Sequence, residues 1–124
     1  LVVSREFAAK RTGLSDPPAA AARLWAPGRQ AVVVTCGAQG SWCAGPDDPD
    51  HPRHQPAFPV EVLDTTGCGD VFHGAYASAL ARELPLPARL RFASAAAALK
   101  ATQCGGQAGI PSRAVVEEFL EARG

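Results

Sequence analysis

Apolar runs of two kinds alternate along the chain, and their spacing predicts an order of strands and helices. Leu1-Val2-Val3 predicts the tail of a short buried strand. Ser4 follows as the cap of a helix running through Arg11, which Gly13 would end. Asp16 would cap a second helix with Pro17 and Pro18 in its first turn, continuing through Ala22 and Leu24 towards Pro27-Gly28. Ala31-Val32-Val33-Val34-Thr35-Cys36 is apolar and β-branched with no alternation. That pattern suits a strand covered on both faces, as in a parallel α/β sheet. Gly37-Ala38-Gln39-Gly40 then turns the chain into a second short strand, Ser41 to Ala44. Gly45 to Pro56, rich in Pro, Asp and His, predicts an exposed loop, and Phe58 to Leu63 a returning strand.

Beyond residue 64 the period changes. From Gly69 to about Glu83 apolar residues recur with helical spacing at Phe72, Tyr76, Ala79 and Leu80. Pro85 and Pro87 interrupt it. A second, alanine-rich helix follows through Leu90, Phe92, Ala93, Ala96, Ala97 and Leu99 to Thr102, its small residues implying close packing. Gly105-Gly106 and Gly109-Ile110-Pro111 predict a loop, and Ser112 the cap of a last helix through Val115, Val116, Phe119 and Leu120. There is no internal repeat. Alternating strands and helices predict an α/β fold with a three-layer α/β/α sheet. Ligands in such sheets gather at the carboxyl ends of strands, where Thr35–Gly40 and Asp64–Asp70 both fall.

Composition narrows the function without naming it. The 124 residues carry 12 Lys and Arg against 12 Asp and Glu, so no excess of charge points to nucleic acid or an anionic membrane. No apolar run approaches the roughly 20 residues that span a bilayer, and no signal-peptide pattern is present. A start at Leu1 in a chain without methionine predicts a cut rather than a natural beginning. Cys36, Cys43, Cys68 and Cys104 form no C-x-x-C pair, and His51, His54 and His73 form no ligand set, which argues against zinc. Thiols in apolar surroundings predict a reduced, cytoplasmic protein. His51 and His54 are expected in solvent, His73 at the surface or in packing, and Trp25 and Trp42 as core or partly exposed anchors.

The chemistry concentrates in Asp64-Thr65-Thr66-Gly67-Cys68-Gly69-Asp70. Glycines let a backbone approach a phosphate closely, and the free N–H groups of a helix start point at an anion. An aspartate there is unfavourable beside an anion unless it does chemistry, such as taking a proton from a hydroxyl nucleophile. The alternative is an N-capping Asp beside turn glycines. The stretch through Val71-Phe72-His73-Gly74-Ala75 resembles the second signature of the ribokinase-like (PfkB) carbohydrate kinases, D-T-x-G-A-G-D-x-F, with Cys68 where alanine is usual. Thr35-Cys36-Gly37-Ala38-Gln39-Gly40 resembles the T-x-G-x-x-G turn of the same family.

The resemblance implies the C-terminal part of a ribokinase-like fold. Residues 1–124 would be the ATP-binding and catalytic portion of a sugar kinase, without its N-terminal sugar-binding part and lid. It implies an ATP-dependent carbohydrate kinase that moves the γ-phosphoryl group to a sugar hydroxyl. Asp70 would be the base, and Gly67, Cys68 and Gly69 the anion hole. Thr35, Gly37, Gly40 and Thr66 would face the nucleotide, with Ala97 and Gly105 in a wall of the adenine pocket. Asp64 matches an aspartate that helps some members bind a monovalent cation such as K⁺; the alternative is an Asx-turn closing the strand. Mg²⁺ is implied on the ATP phosphates. Many members carry N-x-x-E where this chain reads Ser4-Arg5-Glu6-Phe7, so that route to magnesium is not implied. The full-length family pattern allows a homodimer. Two other readings stay open: a nucleoside or hydroxymethyl-pyrimidine kinase of the same superfamily, and a truncated module that binds nucleotide without turnover.

Overall fold

The computed structural model describes all residues, Leu1–Gly124, and divides into two compact units, Leu1–Pro56 and Ala57–Gly124. The first is built around a four-stranded sheet. Its elements are β1 (Val2–Ser4), α1 (Arg5–Thr12), α2 (Pro17–Leu24), β2 (Val32–Thr35), β3 (Ser41–Ala44) and β4 (Arg53–Gln55). The strands lie in the order β1-β2-β3-β4. β1 and β2 are parallel, with Val3 opposite Val34, and the two remaining pairs are antiparallel. The sheet is therefore mixed, where the unbroken valine run alone suggested a parallel one.

Local chemistry sets the helix ends. The Ser4 hydroxyl accepts the Phe7 amide at 3.1 Å, and Gly13 closes α1 in the left-handed region at φ 75°. Asp16 caps α2 from the front, with Pro17 and Pro18 in the first turn, where their missing N–H groups are not needed. The two helices cover one face of the sheet. Ala8, Ala20 and Ala21 pack with Val3, Val32, Val34 and Ala44, and Trp25 and Trp42 close the edges of that core. Val33, which alternates with Val32 and Val34 along β2, is equally buried.

The second unit is helical: α3 (Cys68–Ala81), α4 (Leu86–Ala101) and α5 (Arg113–Ala122). Ser112 caps α5 by accepting the Val115 amide at 3.3 Å. Ala79, Phe92, Ala95, Ala96 and Val116 form the core, joined by Phe58, Val71, Leu99, Phe119 and Leu120. The alanines of α4 admit α3 closely, which is how a helix with little amphipathic contrast finds its place. Leu80, expected inside, is 43% exposed.

Two expectations about strands change. The stretch from Gly45 to Pro56 contains β4, whose His54 stacks on Trp42 with ring centroids 4.5 Å apart. Phe58 to Leu63 is not a strand. A strand exists through a ladder partner, and Pro59 has no amide to give. Leu63 and Asp64 instead donate their amides to the Ala101 carbonyl at 2.8 and 3.2 Å, tying the segment to the end of α4. Phe58 turns edge-on to Phe119 at 5.4 Å. No helix is long and apolar enough to cross a membrane.

Candidate active site

Asp64 organises the glycine turn. One carboxylate oxygen, Oδ1, accepts the Thr66 amide at 2.9 Å, and the other, Oδ2, accepts the Gly105 amide at 2.9 Å. A single side chain therefore closes an Asx-turn and pins the loop after α4 against it. The Thr66 hydroxyl and amide, then the Gly105 amide, hold the Asp64 carboxyl at a pKa of about 2, below its ordinary 3.8, and the positive charge of Lys100 adds to the effect. Hydrogen bonds to the ionised form are the cause.

The sign of the linkage follows from that direction. A depressed folded pKa adds stability above the unfolded value and loses it as pH falls through the folded one. The stability of this unit should therefore fall as pH drops from 3.8 towards 2, and Asp64→Asn should flatten that part of the profile. Thermal melts of both proteins across the range check it; equal slopes would overturn it.

After the turn, Gly67 stands at φ 77°, ψ 2° as the cap residue of α3, with no side chain capping the helix. The Cys68 amide bonds to Thr65 O and the Val71 amide to Gly67 O, which leaves the Gly69 and Asp70 amides open. Asp70 is an exposed carboxylate in that first turn. The Cys68 thiol is half-buried beside the Asp64 carbonyl at 4.0 Å, and burial pushes its pKa up. A thiol so placed is a packing group rather than a nucleophile. His73 folds back to the Gly69 carbonyl at 2.8 Å and is exposed.

An open cleft of about 510 Å³ borders this helix start. Its lining includes Gly67, Asp70 and Gly74 of the turn and α3, Phe92 and Ala96 of α4, and Arg113 of α5. Of the residues assigned from sequence, the cleft takes in Gly67 and Asp70, whereas Ala97 and Gly105 lie outside its lining. No group of three or more His, Cys, Asp or Glu side chains is placed to hold a metal ion.

Thr35, Gly37 and Gly40 belong to the first unit. The Thr35 hydroxyl donates to the Val3 carbonyl at 3.3 Å. Between β2 and β3 the chain makes one tight turn, Gly37–Gln39, in which Gly37 at φ 56° and Gly40 at φ 88° occupy conformations that other residues rarely adopt. Arg5 steadies the turn by donating to the Gln39 side chain at 2.8 Å. Two features escaped the sequence reading. Gly109 is buried, and an added Cβ would sit 2.3 Å from the Gln103 Cβ. Lys100 is wholly buried in the last turn of α4; in a sequence, a lysine at a helix C-terminus normally signals a solvated charge.

A profile of the pfkB family of carbohydrate kinases matches residues 4–113. The chain belongs to this family. It is 52% identical over 65 residues to the ribokinase of Bacillus subtilis (strain 168), covering 52% of this chain and 22% of that protein. Its structure resembles the Arabidopsis thaliana ribokinase complexed with ribose and ATP, at a TM-score of 0.86 and 30% identity, over 98% of this chain and 40% of the other. It also resembles a nucleoside kinase of Burkholderia thailandensis in complex with inosine, at a TM-score of 0.77 and 28% identity, over 98% and 39%. The chain thus spans less than half the length of these kinases. The α/β architecture is that of part of the ribokinase fold.

Proposed function

We propose that this chain carries the phosphoryl-transfer portion of an ATP-dependent sugar kinase. The observation that carries the reading is the start of α3, where open amides and the exposed Asp70 border a cleft. Open N–H groups at a helix start stabilise the charge that develops on a transferring phosphoryl group. Asp70 accepts the proton of the sugar hydroxyl as its oxygen attacks the γ-phosphorus. The bond from that phosphorus to the β,γ-bridging oxygen breaks, and its electron pair leaves with ADP. Gly67, Cys68 and Gly69 shape the anion hole by their backbone. Thr35, Gly37, Gly40, Thr66, Ala97 and Gly105 are assigned to the nucleotide side.

Mg²⁺ fits this reading as an ion carried on the phosphates. Such ions keep several waters and need few protein ligands, and the side chains here form no cage for one. It supplies neutralisation of phosphate charge. The likeness to a nucleoside kinase with inosine supports a second acceptor class on the same machinery.

The test is binding of ATP to the chain, followed by transfer of label from γ-³²P-ATP to ribose, fructose or inosine in the protein that carries it. Transfer to a sugar is expected. Transfer to inosine alone favours the nucleoside reading, and binding without transfer favours a nucleotide-binding module. Absence of ATP binding overturns all three.

A further inference from the structure

Lys100 is the anomaly of the second unit. Its side chain is 0% exposed, and its Nζ has no hydrogen-bond partner. An ammonium has three donors, and burying it unsatisfied is costly unless an opposite charge compensates. The lysine is nevertheless held firmly. The amides of Leu63 and Asp64 bond to the carbonyl of the next residue, Ala101, and the Gln103 amide bonds to the Lys100 carbonyl at 3.1 Å. Gly109 packs on the stem so closely that an added Cβ would lie 3.2 Å from the Lys100 Cδ. These ties set the end of α4 beside the Asp64 turn. The Lys100 charge acts on both the Asp64 carboxylate and the Cys68 thiol, adding to the fall of the first pKa and opposing the rise that burial gives the second.

Asp64 is where a monovalent cation was expected, and the residues present do not fit one. Both carboxylate oxygens already accept backbone amides, and a potassium ion added there would meet the like charge of Lys100, which already acts on Asp64. We propose that Lys100 is a built-in cation: its buried ammonium supplies the positive charge beside Asp64 and the Gly67 turn, so that this site takes no potassium. A tethered charge has two physical advantages. Its dehydration falls in folding rather than in each binding event, and it keeps the ground under the glycine turn positive whatever the salt. The inference rests on the anion-binding reading of that turn, and the experiment separates the two.

Thallium(I), a potassium mimic visible by ²⁰⁵Tl resonance, is titrated against wild type, Lys100→Ala and Lys100→Met. ATP affinity is then measured in potassium chloride and in choline chloride at equal ionic strength. Wild type should bind no thallium, and its ATP affinity should change less than about twofold between the salts. Lys100→Met, which keeps the stem and loses the charge, should bind ATP about tenfold more weakly in choline, the scale of one partly screened unit charge. Lys100→Ala, which opens space as well, should bind thallium and recover ATP affinity in potassium. If the alanine variant fails to fold, Lys100→Met carries the test. Thallium bound by wild type, unchanged ATP affinity in Lys100→Met, or a folded Lys100→Ala that potassium does not rescue would each overturn the proposal. Loss of ATP binding by wild type in every salt would instead sink the nucleotide reading, while the thallium titration still judges the lysine.

Discussion

Asp70→Asn should lower phosphoryl transfer by about 10²–10⁴-fold, the usual contribution of a positioned general base, while ATP binding survives. The substitution is nearly isosteric, and Asp70 is exposed in the first turn of α3, where no buried partner depends on it. Folding should therefore be unaffected. An amide cannot take the proton of an attacking hydroxyl, so the loss should fall on turnover rather than on affinity for either substrate. ATP should bind as well or somewhat better, because a negative charge beside the phosphates has gone. Steady-state kinetics with matched ATP titrations check this. Turnover within tenfold of wild type would place the base elsewhere. His73 does not offer an obvious substitute, since one ring nitrogen is engaged with the Gly69 carbonyl at 2.8 Å.

The parts of this molecule that depend on short-range chemistry were legible in the sequence. Ser4, Asp16 and Ser112 cap helices because a short polar side chain three residues before an orphan amide has little choice. Gly13 and Gly67 stand where the backbone must be left-handed. The Asp64 motif was legible for the same reason, since its Asx-turn is closed within two residues. Features that depend on a distant partner were not. Whether Phe58 to Leu63 forms a strand is decided by what lies alongside it, and Ala101 takes the amides a ladder would have used. Asp64 Oδ2 reaches the Gly105 amide 41 residues away, which no local pattern announces. Lys100 looks like a solvated helix-end charge until the packing of Gly109 on its stem is seen.

That long-range tie makes Gly67→Ala the substitution with the next largest expected effect. Gly67 sits at φ 77°, where a side chain costs about 1–2 kcal/mol. Space is short as well: the new Cβ would lie 3.2 Å from the carbonyl oxygen of Gly106. That neighbour is backbone, and its position follows from Gly105, whose amide is held by Asp64. Relief therefore requires either the turn to change conformation or the loop after α4 to move, and Asp64 transmits each shift to the other. The open amides of Gly69 and Asp70 would lose their aim. Removing one well-aimed donor to a developing oxyanion costs about 10²–10³ in turnover, and Gly67→Ala should reach that range and weaken ATP binding too. Gly69→Ala supplies the contrast in stability. Gly69 has no positive φ, and nothing lies within 4 Å of an added Cβ, so its melting temperature should hold or rise, as alanine favours a helix over glycine by about 1 kcal/mol. Melting curves and ATP titrations of the two variants decide the matter. Gly67→Ala with wild-type ATP affinity would mean that the turn does not hold the nucleotide.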